Sequence, residues 1–268
     1  MIVVFDVGNT ETTVGLFDGQ SLEVHWRLMT SNERTPDEFG LLLGALLQSR
    51  DISAASIHGA AIGSVVPQVT GPLGEACTAW LAVNPLVVDA TSPLPIVLDV
   101  EEPLTVGADR IINTLAASKL YGCDTIVVDL GTATTYDCIT AEGRFLGGII
   151  APGITTSAET LFRRTSKLPA TELVAPERAI GRRTEECIRA GVMLGAAAAI
   201  DGLVRRIKSE WPGPQVPKVV ATGGLAQTVA PLCHEVEEVE PFLTLHGLRL
   251  AYDLLGTNPS EQPGRGGS

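Results

Sequence analysis

Aromatic and basic residues are both scarce in this chain of 268 residues. Aromatic side chains make up only 4% of the sequence, so a core must be built mostly from Val, Ile, Leu and Ala. Lysine and arginine number 19 against 31 acidic residues, which gives a formal net charge of −12. Because the phosphate backbone of a nucleic acid attracts basic surfaces, this charge argues against nucleic acid as a partner.

Several patterns of cysteine, histidine and apolar residues are also absent. The five cysteines are odd in number and contain no C-x-x-C pair, which indicates reduced thiols in a cytosolic protein. The four histidines have no zinc-ligand spacing. No secretory signal is present at the N-terminus, and no apolar run approaches the length that spans a membrane. These absences predict a soluble, cytoplasmic protein with no membrane partner.

The chain is nevertheless apolar enough to build a packed core. Its hydrophobic fraction is 45% and its mean hydropathy is +0.24, values typical of globular rather than disordered proteins. A chain of this length forms either one large domain or two compact ones.

One motif occurs twice, and its copies lie about half a chain length apart. Asp6-Val-Gly8-Asn-Thr10 stands near the start, and Asp129-Leu-Gly131-Thr132 opens the second half. Each copy follows an apolar run that predicts a strand. Two such turns therefore suggest one supersecondary unit used twice, with both turns closing on one anionic ligand.

Turns of this composition can bind phosphate. Gly8 lets the backbone approach a ligand closely, while backbone N–H groups and threonine hydroxyls can donate to phosphate oxygens. Asp6, at the end of its strand, would face Mg²⁺ or the transferred group. The alternative is an ordinary hairpin in which the aspartate caps its own turn. The duplication favours the binding interpretation.

A second cluster lies at the start of a predicted helix that ends near Tyr121. In Gly107-Ala-Asp109-Arg110, the adjacent acid and cation could act as a general base and an anion clamp. The alternative is an aspartate that interacts with the helix dipole, beside a surface arginine. A third glycine turn, Thr222-Gly223-Gly224, indicates only a strand-to-helix connection when taken alone.

Both halves of the chain show the same predicted order of elements. A three-strand meander at residues 2–28 recurs at residues 125–150, and alternating helices and strands follow each copy. Residues 90–106 contain three prolines and are predicted to form an irregular loop. Two halves of this kind predict an α/β protein with a central cleft.

Seven motifs, in this order and spacing, resemble those of the type III pantothenate kinases, which belong to the acetate and sugar kinase/Hsp70/actin superfamily. They are Asp6-Val-Gly-Asn-Thr10, Val106-Gly-Ala-Asp-Arg110, Asp129-Leu-Gly-Thr-Ala-Thr-Thr135, Gly147-Gly-Ile-Ile-Ala-Pro-Gly153, Lys167-Leu-Pro169, Gly181-Arg-Arg-Thr184-Glu185 and Thr222-Gly-Gly224. The resemblance implies two duplicated ribonuclease H-like (actin-like ATPase) domains, at residues 1–106 and 107–256. The remaining residues, 257–268, are rich in Pro, Gly and Ser and are predicted to be a disordered tail.

The resemblance also implies an activity, the ATP-dependent phosphorylation of pantothenate to 4′-phosphopantothenate, which is the first step of coenzyme A biosynthesis. The implied ATP-binding residues are Asp6, Val7, Gly8, Asn9, Thr10, Glu11, Thr12, Thr13 and Thr132. The implied pantothenate-binding residues are Gly107, Ala108, Asp109, Arg110 and Thr184. Among these, Asp109 would be the catalytic base that accepts the proton of the substrate hydroxyl.

Cations and a second subunit are implied as well. By the same resemblance, Asp129 would bind a monovalent cation, K⁺ or NH4⁺, and Mg²⁺ would accompany ATP. Family members are homodimers, which implies that Thr184 can serve the site of the neighbouring protomer.

Two other functions are compatible with the same motifs. One is a kinase or phosphatase of the same superfamily with another small-molecule substrate, against which Val106–Arg110 together with Thr184 argues. The other is a catalytically silent nucleotide-binding regulatory protein, which would not need to keep all three acids, Asp6, Asp109 and Asp129.

Overall fold

The computed structural model describes residues 1–256, so the predicted tail at 257–268 lies outside the described residues. The chain forms two compact units that alternate along the sequence. The first unit contains Met1–Leu94, Gly107–Ile112 and the described residues from Leu248 on, and the second contains Pro95–Val106 and Asn113–Gly247. The domain boundary between residues 106 and 107 stays a prediction.

The first unit is built on a five-stranded sheet. Its strands are β1 (Ile2–Val7), β2 (Glu11–Asp18), β3 (Ser21–Met29), β4 (Gly59–Ser64) and β5 (Leu86–Val88). The strand order is β3-β2-β1-β4-β5, in which β1, β2 and β3 form an antiparallel meander and β4 and β5 are parallel to β1. The predicted hairpin is confirmed, because Gly19 turns between β2 and β3 with a φ of 57°.

Two helices, α1 (Pro36–Gln48) and α2 (Pro67–Leu81), lie wholly within this unit. Thr35 caps α1: its hydroxyl accepts from the backbone N–H of Glu38 at 3.3 Å, and the Glu38 carboxylate accepts from the Thr35 N–H at 2.8 Å. Side chains from both helices and from the sheet share one core, in which Phe5 and Leu16 pack with Phe39.

The second unit repeats this plan and adds one strand. Its strands are β6 (Val97–Leu98), β7 (Thr125–Leu130), β8 (Ala133–Ile139), β9 (Arg144–Pro152), β10 (Lys218–Thr222) and β11 (Glu238–Val239). The order is β11-β10-β7-β8-β9-β6, and β9-β8-β7-β10-β11 reproduces the order and the strand directions of the first sheet. The predicted duplication is therefore present in the topology, and the predicted mixed α/β class is confirmed.

Five further helices follow in chain order. They are α3 (Ala108–Tyr121), α4 (Ile154–Arg164), α5 (Thr184–Glu210), α6 (Ala226–Val229) and α7 (Leu243–Leu255). The end of α3 at Tyr121 is where the sequence predicted it, whereas α6 has only four residues, too few to show a helical period. Buried residues of α5, such as Met193 and Val204, pack with Ile126 and Val219 of the second sheet.

The prediction of an irregular loop at residues 90–106 is wrong in part. It contains β6, which pairs in parallel with β9, and a short 3-10 turn at Pro103–Thr105. The backbone bonds at its ends run from the Val97 N–H to the Gly143 carbonyl at 3.0 Å and from the Asp99 N–H to the Phe145 carbonyl at 2.9 Å. Since both acceptors lie far along the chain, no local pattern indicated this strand.

The expectation that no apolar run approaches membrane-spanning length needs correction for α5. This helix is long and apolar enough to cross a membrane by length and composition alone, with 39% of its most apolar window buried. A single such helix is weak evidence for a membrane, because core helices of globular proteins meet the same criterion. Its apolar window combines alanines with Ile, Val, Leu and Met side chains.

Candidate active site

The first predicted phosphate turn joins β1 to β2. Asp6 is half-buried near the end of β1 and lies opposite Thr13 of β2. The turn closes through a hydrogen bond from the Gly8 N–H to the Glu11 carbonyl at 3.0 Å. A side chain at Gly8 would place its Cβ only 3.0 Å from that carbonyl oxygen. Glycine therefore keeps the turn tight, and the next residue, Asn9, is exposed at its tip.

Thr30, which the sequence analysis did not single out, fixes this turn from the end of β3. Its hydroxyl donates to the Gly8 carbonyl at 2.7 Å, and its backbone N–H donates to the Thr10 carbonyl at 3.0 Å. The Thr12 hydroxyl lies 2.9 Å from the Thr30 hydroxyl and must be the donor there, because the Thr30 proton is already used. Thr12 is buried, and its hydroxyl has this partner inside the protein. Its contact with ATP stays a prediction.

The predicted base, Asp109, lies in the first turn of α3. Its Oδ1 accepts from the Arg110 backbone N–H at 2.8 Å. A Cβ at Gly107 would lie 2.5 Å from the same oxygen, so glycine leaves room for the carboxylate to adopt this position over the helix start. Ala108, which lies between Gly107 and Asp109 in the sequence, is buried.

Burial controls the acidity of Asp109. Loss of water around the carboxyl raises its pKa, while the hydrogen bond from the Arg110 N–H and the charge of Arg110 oppose this shift. A carboxylate whose pKa is raised binds a proton more readily. This environment therefore suits a group that must accept a proton from a hydroxyl.

The second predicted turn joins β7 to β8 in the second unit. Asp129 lies near the end of β7, between Thr135 of β8 and Thr222 of β10. The turn closes through a hydrogen bond from the Gly131 N–H to the Ala133 carbonyl at 3.1 Å. The two copies of the motif thus occupy equivalent positions in their sheets.

Gly223 has a clearer role than its sequence suggested. It follows β10 with a φ of 89°, a conformation that favours glycine. A Cβ at this position would lie 2.5 Å from the Asp129 Oδ1 and 2.8 Å from the Leu130 backbone nitrogen. The glycine turn therefore permits a close approach to the Asp129 carboxylate.

Two buried polar residues that the sequence analysis missed form a hydrogen-bond chain that ends on Asp129. The Asn113 side chain donates through Nδ2 to the Asp129 Oδ2 at 3.3 Å. The Thr244 hydroxyl donates to the Asn113 Oδ1 at 3.0 Å. The sequence offered one signal for Asn113: it follows Asp109 by one turn of α3 and so lies on the same face of that helix.

Thr132 is exposed beside the start of α4. The Thr156 hydroxyl of that helix donates to the Thr132 carbonyl at 2.9 Å. A Cβ at Gly153 would lie 2.2 Å from the same carbonyl oxygen, so glycine permits the helix to begin against this turn. The structure thus places Asp129 and Thr132 on one turn, whereas Thr184 is the exposed first residue of α5.

The carboxylates of the candidate site suit cations that a substrate helps to bind. Within residues 1–256 no group of three or more His, Cys, Asp or Glu side chains could hold a metal ion. Mg²⁺ bound with a nucleotide needs only one or two carboxylates, because phosphates and water supply its other ligands. A single acid such as Asp6 therefore fits Mg²⁺. At Asp129 the carboxylate supplies the kind of oxygen ligand that suits a hard cation.

Comparison with known proteins identifies the family. A family model described as type III pantothenate kinase matches residues 2–206. The chain belongs to the type III pantothenate kinase family. A type III pantothenate kinase from Thermomicrobium roseum is 47% identical over 253 residues, which cover 94% of this chain and 97% of that protein. The type III pantothenate kinase from Moorella thermoacetica is 43% identical over 94% of this chain and 99% of its own length.

Solved structures share the fold of this kinase family member. A protein from Campylobacter jejuni, described as a candidate Baf family transcriptional activator, is 18% identical with a TM-score of 0.58. The match covers 94% of this chain and 98% of that one. At this identity the likeness shows the fold alone, and the similar strand orders of the two sheets confirm the predicted duplicated α/β architecture.

Proposed function

We propose that this chain transfers the γ-phosphoryl group of ATP to the primary hydroxyl of pantothenate. The products are ADP and 4′-phosphopantothenate, and the reaction opens the route to coenzyme A. The observation that carries this proposal is the start of α3, where Gly107 leaves room for a half-buried carboxylate with a raised pKa. Membership of the type III pantothenate kinase family supports it.

Asp109 is proposed as the base of this reaction. It accepts the proton of the pantothenate hydroxyl as the oxygen attacks the γ-phosphorus in line with the leaving ADP oxygen. The Arg110 guanidinium offsets negative charge on pantothenate or on the transferred group. Gly107 and Ala108 contribute backbone groups to the substrate, and Thr184 contributes its hydroxyl.

ATP is proposed to bind at the two repeated turns. The backbone N–H groups of the Asp6–Thr13 segment and the hydroxyl of Thr132 donate to phosphate oxygens. Positioning is the main task of a phosphoryl-transfer enzyme, because the protein makes few covalent changes itself. A turn held on both sides by Thr30 suits this task.

Two cation sites are proposed with it. Asp6 would hold Mg²⁺ together with the phosphates, and Asp129 would hold K⁺ or NH4⁺. Both cations would offset the charge of the nucleotide, which a chain with few basic residues leaves largely uncovered. The protein itself supplies the carboxylates and the buried groups that orient them.

A coupled assay of ADP release tests the proposed function. We expect ADP to form only when ATP, Mg²⁺ and pantothenate are all present, and to form faster in KCl than in choline chloride. ADP release with a sugar in place of pantothenate would indicate another kinase of the superfamily. No substrate-dependent ADP release in any salt would favour a nucleotide-binding regulatory protein.

The Thr30 contacts lead to a test of the first turn. Thr30→Val removes the hydrogen bond to the Gly8 carbonyl, a loss of about 1 kcal/mol that corresponds to about a fivefold weaker interaction. We expect the KM for ATP to rise by about this factor, with the KM for pantothenate unchanged. Thr30→Ser keeps the hydroxyl and serves as the control. An unchanged KM for ATP in Thr30→Val would contradict this role.

We propose that the protein is a homodimer and that it is located in the cytoplasm. The exposed face of α5 supports the homodimer. Gly191, Gly195 and Ala198 are exposed, and no atom lies within 4 Å of a Cβ built at either glycine. Residues three and four apart lie on one face of a helix, so these positions form a smooth apolar strip. A second copy covering this strip explains the apolar composition of α5 without a membrane, and it would bring Thr184 to the interface.

The dimer proposal predicts the effect of a large charged side chain on that strip. Gly195→Arg should convert a dimer to a monomer, because it places a charge and extra bulk at the centre of the interface. Light scattering during gel filtration measures the mass directly. Gly71→Arg is the matched control, since Gly71 is an exposed helical glycine of α2 with open space around it. A monomeric unaltered protein would overturn the proposal.

A further inference from the structure

A chain of two hydrogen bonds inside the second unit ends on the Asp129 carboxylate. The Thr244 hydroxyl donates to the Asn113 Oδ1 at 3.0 Å, and the Asn113 Nδ2 donates to the Asp129 Oδ2 at 3.3 Å. Asn113 is 1% exposed and Thr244 is 7% exposed, so water does not replace these partners. The three residues come from α3, α7 and β7.

The order of donors in this chain follows from the carboxylate. An ionised Asp129 can only accept hydrogen bonds, so the amide of Asn113 must turn its NH2 group towards it. The amide oxygen then faces Thr244, whose hydroxyl satisfies it by donating. Without that hydroxyl, a buried amide oxygen would lose its partner, and the preference for this orientation of the amide would weaken.

The opposite side of the carboxylate is confined by backbone. Gly223 brings its Cα so close that an added Cβ would lie 2.5 Å from the Asp129 Oδ1. The Oδ2 atom thus accepts a hydrogen bond from Asn113, and the Oδ1 atom lies close to the backbone of Gly223. A carboxylate held in this way has little freedom to rotate, which is the condition for binding an ion with a fixed geometry.

We propose that Asn113 and Thr244 are positioning residues that hold the Asp129 carboxylate in the orientation that binds a monovalent cation. This inference rests on the proposed cation site at Asp129. Asn113 follows the proposed base Asp109 by one turn of α3, so one helix carries both the base and the group that orients the cation ligand. A purely structural role for the two residues would affect stability but not the response to K⁺.

The test compares Thr244→Val, which removes the hydroxyl at nearly constant volume, with Thr244→Ser, which retains it. Thr125→Val is the matched control. Thr125 is a buried threonine on β7, the strand that carries Asp129, and its hydroxyl donates to the Cys123 carbonyl at 2.9 Å. Each protein is examined in KCl and in choline chloride at constant ionic strength.

Two readouts are measured for every variant. The first is the KCl concentration that gives half-maximal pantothenate-dependent ADP release. The second is the rise in Tm caused by KCl relative to choline chloride, with no substrate present. Loss of a partner that orients a metal ligand typically weakens metal affinity by about 10-fold to 100-fold. We expect Thr244→Val to raise the half-maximal KCl concentration by at least about 10-fold and to lose most of the K⁺-specific rise in Tm.

The controls separate positioning from stability. Thr244→Ser should keep both K⁺ responses, and Thr125→Val should lower the Tm in both salts while keeping them. If Thr244→Val lowers the Tm but responds to K⁺ as Thr125→Val does, the inference is overturned. Asn113→Ala provides a second variant in case Thr244→Val does not fold, and the same outcomes apply to it.

Failure of the proposed function would look different. An unaltered protein without pantothenate-dependent ADP release, but with a K⁺-specific rise in Tm that Thr244→Val abolishes, would refute the kinase proposal and retain the positioning inference. An unaltered protein without any K⁺-specific response in either readout would overturn the inference, whether or not it phosphorylates pantothenate.

Discussion

Asp109→Asn is expected to lower kcat for pantothenate phosphorylation by about two to four powers of ten, the usual contribution of a well-placed proton acceptor. The amide cannot accept the proton of the attacking hydroxyl at neutral pH. Its oxygen can still accept the hydrogen bond from the Arg110 N–H that Asp109 accepts at 2.8 Å. The change therefore removes the base while keeping the local geometry. A coupled assay of ADP release at saturating ATP and pantothenate measures the loss.

Stability provides the control for this variant. Because burial raises the pKa of Asp109, ionisation of this carboxyl in the folded protein costs stability once the pH exceeds the pKa of the unfolded chain. A neutral asparagine avoids that cost, so the Tm at neutral pH should stay the same or rise. A kcat close to that of the unaltered enzyme, in a folded Asp109→Asn protein, would remove Asp109 from the role of base.

Gly223→Ala is expected to damage both stability and activity. The residue has a φ of 89°, and a Cβ there meets the Asp129 Oδ1 at 2.5 Å and the Leu130 nitrogen at 2.8 Å. The backbone conformation alone costs roughly 1–3 kcal/mol for a residue with a side chain. The clash adds to this cost and displaces the Asp129 carboxylate, so we also expect activity to fall by about tenfold or more.

Gly224→Ala is the matched control for Gly223→Ala. Gly224 is the next residue, lacks a positive φ and has open space where a Cβ would be added. Its Tm and activity should remain close to those of the unaltered protein. Urea denaturation gives the difference in the free energy of unfolding. Equal effects of the two substitutions would show that the tight approach of Gly223 to Asp129 does not matter.

Local chemistry explains which elements were predictable. The cap at Thr35 and Glu38, the hairpin at Gly19 and the two apolar strands before the aspartate turns are all specified by neighbouring residues. The repeated motif then predicted the shared strand order of the two sheets. The strands β6 and β11 have only two residues each and depend on backbone partners far along the chain, so no pattern in the sequence marked them.

The candidate site shows the same division between local and distant signals. The motifs predicted Asp6, Asp109 and Asp129, because each stands at a glycine turn or a helix start. The partners that orient these acids come from distant positions. Thr244 and Asn113 are 131 positions apart, and their hydrogen bond exists only because the fold buries them together. The raised pKa of Asp109 likewise results from burial, which only packing determines.

The pH dependence of kcat/KM for pantothenate is the measurement that tests the role of Asp109 most directly. A base must be deprotonated to act, and burial raises the pKa of this carboxyl from its ordinary value. We therefore expect kcat/KM to rise with pH through an apparent pKa higher than that of a free aspartate and then to level off, measured upward from the lowest pH at which the protein stays folded. The residual activity of Asp109→Asn should lack this rise. A rise with pH that persists unchanged in Asp109→Asn would contradict the assignment of Asp109 as the base.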